Sequence, residues 1–156
     1  MSTLKQIAIG GLAGSLATIP MTLWMAARHR TLSAAEQGPL PPRPIALKSL
    51  KEVVDTQQLS AEAKDCTALA GHFLYGSAMG GVFTAVAPTR DMRSTVVGGV
   101  AFGGLVWATS YFGWLPAAHL YVAARDTFGR NQLMLESHIV WGAALGAVVG
   151  ALRKRS

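Results

Sequence analysis

Four long stretches of this chain are almost free of charged residues. They cover residues 6–27, 66–89, 94–124 and 133–152. The first three contain no Asp, Glu, Lys or Arg, and the fourth contains only Glu136. A helix needs about 20 apolar residues to cross a bilayer. The pattern therefore predicts an all-α integral membrane protein, a single domain over residues 1–156. Its four transmembrane helices would lie at about 6–27, 66–88, 95–115 and 133–152.

Each apolar stretch also carries glycines four positions apart. In a helix such residues share one face and leave a groove in which a second backbone can approach. The predicted packing glycines are Gly10, Gly14, Gly76, Gly80, Gly99, Gly103, Gly142, Gly146 and Gly150. One such step predicts little, but a step in every stretch is typical of closely packed membrane helices.

The first loop, residues 28–65, is long and contains two patterns. The proline-rich segment 38–44 predicts an extended, stiff backbone. Residues 45–59 then place apolar side chains at helical spacing between lysines and acids, which predicts a short amphipathic helix at the membrane interface. Ser60 is suited to cap a helix that begins near Ala61.

Four spans would place the two termini and the loop near residue 90 on one side, the end side. The first loop and the loop at 125–132 would lie on the other, the loop side. Short basic segments favour the cytoplasm. Those of the end side are Lys5, Arg90, Arg93, Arg153, Lys154 and Arg155. We therefore predict cytoplasmic termini, and we expect Trp24, Trp114 and Trp141 toward the loop-side interface, where indole rings are common.

Two segments of the chain repeat one pattern. Residues 72–80 and residues 138–146 both read His-x-x-aromatic-Gly-x-x-x-Gly. The chain is therefore interpreted as two tandem two-helix units, about 6–88 and 95–152. Each unit would cross the membrane twice, so the two copies would share one orientation and be related by an axis along the membrane normal.

The repeat places His72 and His138 at matching positions near the loop-side starts of their helices. Both share a face with the glycines, so both should point toward protein rather than lipid. Three interpretations stay open. In the first, each histidine forms a hydrogen bond to a carbonyl or hydroxyl of a neighbouring helix. In the second, the two histidines are the axial ligands of haem b between facing helices. The third interpretation is a small-ligand or proton site that includes Glu136.

Further polar and aromatic residues converge on the loop side. The candidate ligand-binding residues are His72, His138, Tyr75, Trp141, Glu136, Arg130, Asn131 and Arg43. Such a set predicts a pocket for an anionic headgroup or a small polar molecule. Ordinary anchoring to membrane lipid by interfacial residues is the competing interpretation.

Several of these motifs stand in a familiar order along nearly the whole chain. They are Leu-Pro-Pro-Arg at 40–43, His-x-x-Tyr-Gly at 72–76, Tyr-x-Gly-Trp-Leu-Pro at 111–116, Gly-Arg-Asn at 129–131 and His-x-x-Trp-Gly at 138–142. This order resembles the YagU-like family of small bacterial inner-membrane proteins of unknown function. The resemblance implies a multi-pass protein of the bacterial inner membrane. It implies no reaction, so the interpretations of the histidines stay open.

The sequence argues against nucleic acid as a partner and against an enzyme. The net charge is +6, but the basic residues lie at helix ends and in loops, without a basic groove interleaved with aromatic residues. A single cysteine excludes a cysteine metal cluster. The sequence contains no nucleophile elbow, phosphate-binding loop, HExxH motif or EF-hand spacing.

Two functions remain for a chain of this kind. The leading interpretation is a protein that acts by helix packing and interaction, as a homo-oligomer or as an accessory subunit of a larger membrane complex. The alternative is a ligand-handling protein, a haem b carrier or a small-molecule transporter, with its pocket around His72 and His138. The cofactor is left unknown, and haem b enters only with that alternative.

Overall fold

The structure is a computed structural model that describes residues 2–51, 55–87, 91–122 and 125–153, and its regular elements are helical. The longer helices are α1 (Thr3–His29), α2 (Pro42–Leu50), α3 (Ala61–Val86), α4 (Met92–Ala117) and α5 (Phe128–Arg153). A single 3-10 turn, Ala34–Glu36, lies between α1 and α2. Arg90, Lys154 and Arg155, on which the predicted orientation partly depends, lie outside the described residues.

Three helices, α1, α4 and α5, are long and apolar enough to cross a membrane. The sequence predicted four, and the fourth corresponds to α3, which has 26 residues but is not among the three. The physical reason is its composition. Its first turns carry Glu62, Lys64 and Asp65, and its middle carries a histidine, a tyrosine and several glycines, all of which lower its mean hydropathy.

The helices extend beyond the predicted spans because their capping residues lie outside the apolar stretches. The Ser60 hydroxyl accepts a hydrogen bond from the Ala63 N–H at 3.2 Å, so α3 begins at Ala61, as its sequence predicted. Asp91 accepts from the Ser94 N–H at 3.1 Å and starts α4 at Met92, three residues before the predicted span. Each cap satisfies an N–H that has no partner within its own helix.

α2 corrects two expectations about the first loop. Among the described residues the amphipathic helix is Pro42–Leu50, and 55–59 of the predicted range 45–59 are not helical; residues 52–54 of that range lie outside the described residues. The proline-rich segment before it is not extended throughout, since Pro41 has φ −49° and ψ −37° and Pro42 begins the helix. Proline suits a first helical turn, because its fixed φ is helical and the N–H groups there have no intrahelical acceptor.

The helices pack in the order α3–α1–α5–α4. α1 lies between α3 and α5, α4 lies against α5, and α2 lies on α3. The core between α1 and α5 includes the fully buried Ala13, Ala17, Leu145 and Val149. The two outer helices, α3 and α4, contact each other only slightly, which leaves a space between them.

Glycines form both tight crossings, that of α1 with α3 and that of α4 with α5. The predicted packing glycines all stand against another helix: Gly10, Gly14, Gly76, Gly80, Gly99, Gly103, Gly142, Gly146 and Gly150. A Cβ atom added at Gly10 would collide with the Gly80 carbonyl, and one added at Gly142 would collide with the Gly99 carbonyl. The backbones therefore approach closely because no side chain stands between them.

Candidate functional site

A cavity of about 540 Å³ lies between α3 and α4. Thr18 of α1 and Met134 of α5 form its back and are buried, and α2 covers it from the side of the first loop. Leu74 on α3 and Trp114 on α4 also line it, yet they are 70% and 42% exposed. The cavity therefore opens sideways between the two outer helices.

The wall of this cavity is mostly apolar. Its polar side chains belong to Thr18, Ser49, Thr67, His72, Tyr75, Ser110, Tyr111, Trp114, His138 and Trp141. Within the described part of the chain, no Asp, Glu, Lys or Arg lines it. Its volume falls within the range of roughly 300–1,000 Å³ that is usual for small-molecule sites, which also combine apolar walls with a few polar groups.

Four of the candidate residues meet at this cavity. His72 and Tyr75 reach it from α3, and His138 and Trp141 reach it from α5. The spacing of three residues puts each histidine and its aromatic neighbour on one helical face, one turn apart. The glycine crossings hold those faces toward the inside of the bundle, so the four side chains converge.

Tyr75 and Trp141 each form a hydrogen bond that links the α1–α3 pair to the α4–α5 pair. The hydroxyls of Tyr75 and Ser110 lie 2.8 Å apart, which links α3 to α4. The Trp141 indole N–H donates to the Gly14 carbonyl at 3.2 Å, which links α5 to α1. Trp141 is therefore buried, with 3% of its surface exposed, so its ring faces the protein interior. Trp24, by contrast, is 39% exposed.

His138 is buried, and its tautomer is set by its own helix. Its Nδ1 lies 2.7 Å from the Met134 carbonyl oxygen. A carbonyl can only accept, so Nδ1 must carry the proton and donate it. In the neutral ring Nε2 then holds a lone pair, and it lies on the edge of the ring away from Met134. The ring also meets Tyr111 edge-on, with centroids 6.0 Å apart.

His72 lines the same cavity but has a different environment. It is only partly buried. Its imidazole forms no hydrogen bond or ion pair with any residue in the described ranges. The two histidines therefore hold matching sequence positions without equivalent bonding, and only His138 has a tautomer fixed by the protein.

α4 departs from α-helical geometry where it borders the cavity. Ser110–Trp114 forms a π turn, in which the Leu115 N–H donates to the Ser110 carbonyl five residues back. Pro116 is the physical cause, because it has no N–H and its ring crowds the carbonyl four residues before it. The turn brings the Trp114 indole N–H to the Ser110 hydroxyl, to which it donates at 3.2 Å.

The sequence analysis did not identify this part of the site. Ser110, Tyr111 and Trp114 line the cavity, although Tyr111 entered only as part of a family motif and Trp114 only in that motif and as an interfacial tryptophan. Ile45 and Leu50 of α2 line it as well. A signal was present, since a proline close behind an apolar run of aromatic residues can produce a π turn, and such turns are frequent at functional sites.

The other four candidate residues do not line the cavity. Glu136 pairs with Arg28 at 3.0 Å, with its side chain 28% exposed. Arg43 pairs with Asp65 at 3.1 Å on the surface. Asn131 and Arg130 lie in the first turn of α5, outside the cavity wall. Glu136 and Arg43 each pair with an opposite charge outside the cavity, which avoids the cost of placing a charge against an apolar wall.

Arg130 instead fastens the first loop to the start of α5. Its guanidinium donates to Asp126 at 2.7 Å and to the carbonyl oxygens of Glu36, Gly38 and Pro39 at 2.8, 3.0 and 2.7 Å. The residue is 9% exposed. A buried guanidinium with this many acceptors is satisfied, so Arg130 holds the chain leading into α2 rather than a ligand.

The same loops contain two groups with shifted pKa values. The Thr127 hydroxyl donates to Glu36 at 2.6 Å, and with Ser33 it lowers the pKa of that carboxyl. Burial raises the pKa of Tyr121, and its hydrogen bond to Asp126 adds to the rise. Tyr121 packs edge-on against Tyr111, so this hydrogen-bonded cluster supports a residue that lines the cavity.

Comparison with known proteins assigns the chain to no family. No family model matches it, and neither a curated protein nor a solved structure matches it. The resemblance to the YagU-like family therefore stays a prediction.

The wall of the cavity fits haem b poorly. The two histidines are suited to axial ligation, and His138 already has the Nδ1 hydrogen bond that orients a ligating imidazole. Haem b also carries two propionates, however, and no cationic side chain of the described residues lines the cavity to pair with them. Burying those charges without partners would be costly.

Proposed function

We propose that this chain is an integral membrane protein that holds a small lipophilic molecule between α3 and α4. The proposal is based on the cavity of about 540 Å³, which combines an apolar wall with the side chains of His72, Tyr75, His138 and Trp141. Its sideways opening would face the lipid, so a lipophilic molecule could enter without crossing water. Ligand handling was the alternative interpretation of the sequence, and the geometry supports it best.

In this proposal α3 is a fourth transmembrane helix. Its 26 residues are long enough for a hydrocarbon core of roughly 30 Å at 1.5 Å per residue. It packs along α1, a candidate span, and its outward side chains Leu74, Val82 and Val86 are exposed apolar groups that would contact lipid. The matched glycine crossings of the two helix pairs support a tandem repeat of two hairpins.

The proposed setting is the bacterial inner membrane, with both termini in the cytoplasm, as the YagU-like resemblance and the basic end side suggest. Cys66 provides the test, because it is exposed and is the only cysteine of the chain. A membrane-impermeant thiol reagent should label it in intact cells, since it would lie on the loop side. Labelling only after the cells are opened would reverse the orientation.

The interaction interpretation has less support. It depended on glycine faces that could pack against other proteins, and those faces pack within the chain. Glu136 gives little support to proton coupling, because Arg28 already pairs with its carboxylate. Association with a larger complex therefore needs some surface other than the glycine steps.

The proposal is tested by what the purified protein carries. Ala70 lines the cavity and is exposed, so Ala70→Phe should obstruct it without disturbing the core. Ala78, also exposed and two turns along the same helix, does not line it and gives the matched control Ala78→Phe. Mass spectrometry of organic extracts should find a near-stoichiometric lipophilic compound with the wild type and Ala78→Phe, depleted in Ala70→Phe. The same amount of this compound in the extracts of all three proteins would contradict the proposal.

A further inference from the structure

The polar end of the proposed ligand can be inferred from His138. The Met134 carbonyl fixes the proton on Nδ1, at 2.7 Å, so Nε2 of the neutral ring is an acceptor. His138 lines the cavity, and no other side chain among the described residues is hydrogen-bonded to its Nε2. This nitrogen is open to the cavity, so an apolar ligand would take away the water that could bond it, whereas a ligand with a donor would replace that bond.

The charge of the ligand follows from the rest of the wall. Across the described ranges, the lining includes no Asp, Glu, Lys or Arg. An ionised ligand would have to leave water without a counterion, which costs far more than transferring a neutral hydroxyl. A neutral head is therefore favoured over a carboxylate or a phosphate.

The shape of the cavity describes the remainder of the ligand. The back is formed by buried side chains such as Met21 and Val106, and the opening lies between the exposed Leu74 and Trp114. An apolar chain could lie in this opening while its head reached the histidine. The walls offer such a chain apolar contact along its length.

We infer that the ligand is a neutral lipophilic alcohol or phenol whose hydroxyl donates to Nε2 of His138, with its apolar body in the opening between α3 and α4. This inference rests on the proposed function. It names the chemical class that the cavity would select from the membrane.

Three matched probes can test the inference: a terminally brominated dodecanol, its methyl ether and the corresponding carboxylate. Bromine quenches nearby indoles, and Trp114 and Trp141 both line the cavity. Quenching in detergent-solubilised Ala70→Phe gives the background from partitioning. One hydrogen bond should make the alcohol bind roughly three- to tenfold more tightly than the ether in the wild type.

Two variants test whether the preference for the alcohol over the ether depends on His138 itself rather than on the amount of folded protein. His138→Met fills a similar volume without a nitrogen acceptor, and it should remove the preference for the alcohol over the ether. His119 does not line the cavity and has φ 55°, a conformation that asparagine tolerates, so His119→Asn should keep the preference. The ratio of two affinities in one protein is insensitive to partial loss of folded material.

The outcomes separate the two proposals. Equal affinities of the alcohol and the ether in the wild type, or a preference that survives in His138→Met, would overturn the inference and leave the proposed function standing. Tightest binding by the carboxylate would overturn the neutral head. Quenching by every probe that never exceeds the Ala70→Phe background would overturn the proposed function itself.

Discussion

The two ends of the bundle are held together in different ways. Toward the end side, helices meet backbone to backbone, as Gly10 meets Gly80 and Gly99 meets Gly142. Toward the loop side, large side chains keep the outer helices apart and directed polar bonds hold them, as between Tyr75 and Ser110. Helices within a crossing pair meet because side chains are absent between them, and the two outer helices are kept apart by the size of their side chains.

This contrast explains how a chain of 156 residues can build a cavity without losing its fold. Close glycine crossings fix the helix axes, so the bulky half does not have to pack completely to define the structure. The polar bonds around the cavity then set its width. Steric changes should therefore damage the glycine end, and changes of hydrogen bonding should damage the cavity end.

Arg130→Met should have the largest effect, because it removes the fastening of the first loop at the cavity end. It would remove the ion pair with Asp126 and the hydrogen bonds to three loop carbonyl oxygens. Removing one member of a buried pair costs about 3–5 kcal/mol. Thermal unfolding in detergent should show this loss of stability.

A matched control uses the other candidate arginine. Arg43 pairs with Asp65 on the surface, with side chains 37% and 65% exposed. Arg43→Met should therefore cost no more than about 1 kcal/mol. Similar losses in the two variants would mean that the Arg130 bonds do not hold the cavity end.

Gly142→Ala tests the glycine end. A methyl group there would collide with the Gly99 carbonyl, and overpacking of this kind costs roughly 1–3 kcal/mol. Gly104 lies in α4 with nothing within 4 Å of an added Cβ. Gly104→Ala should be neutral or stabilising by up to about 1 kcal/mol, because alanine favours a helix over glycine. Gly142→Ala should lower the melting temperature and Gly104→Ala should not, and a similar fall in both variants would contradict the close crossing at Gly142.

Much of the fold could be predicted from the sequence, because local physics determines it. Uncharged runs fix where helices lie, Ser60 fixes where α3 begins, and glycine spacing indicates which faces approach. α3 was harder to classify, since its polar and glycine residues lower its hydropathy although it packs beside a candidate span. The proline run was misjudged because proline suits both an extended segment and a first helical turn.

The candidate site could be predicted only in part. The His-x-x-aromatic spacing correctly placed His72 and His138 on faces that line one cavity. Nothing local in the sequence shows that Arg130 bonds the backbone of a loop some 90 positions away, or that Arg28 pairs with Glu136. Those partners depend on how the loops fold over the bundle, which is a long-range property.

Tyr75→Phe should have a smaller effect, confined to the opening of the cavity. It removes the hydroxyl that meets Ser110 at 2.8 Å. Hydrogen bonds between membrane helices contribute about 0.6 kcal/mol on average, so the melting temperature should fall only slightly. The double variant with Ser110→Ala provides the control, because its loss should fall short of the sum by the bond that Tyr75 and Ser110 share, while Ser110→Ala also removes the acceptor of Trp114. Additive losses would show that the two hydroxyls act independently.

The smallest expected effect is a pH dependence of the cavity end. Hydrogen bonds from Thr127 and Ser33 lower the pKa of Glu36 below 4.5 in the folded protein. The stabilisation by this carboxylate should therefore be complete above about pH 4.5 and be lost as the pH falls through the lowered value. The melting temperature of Glu36→Gln should lie below that of the wild type near neutral pH, and the gap should close in acid. A gap that stays constant across this range would mean that the Glu36 charge does not help to fasten the loop, and the cavity end would then depend on Arg130 and its acceptors alone.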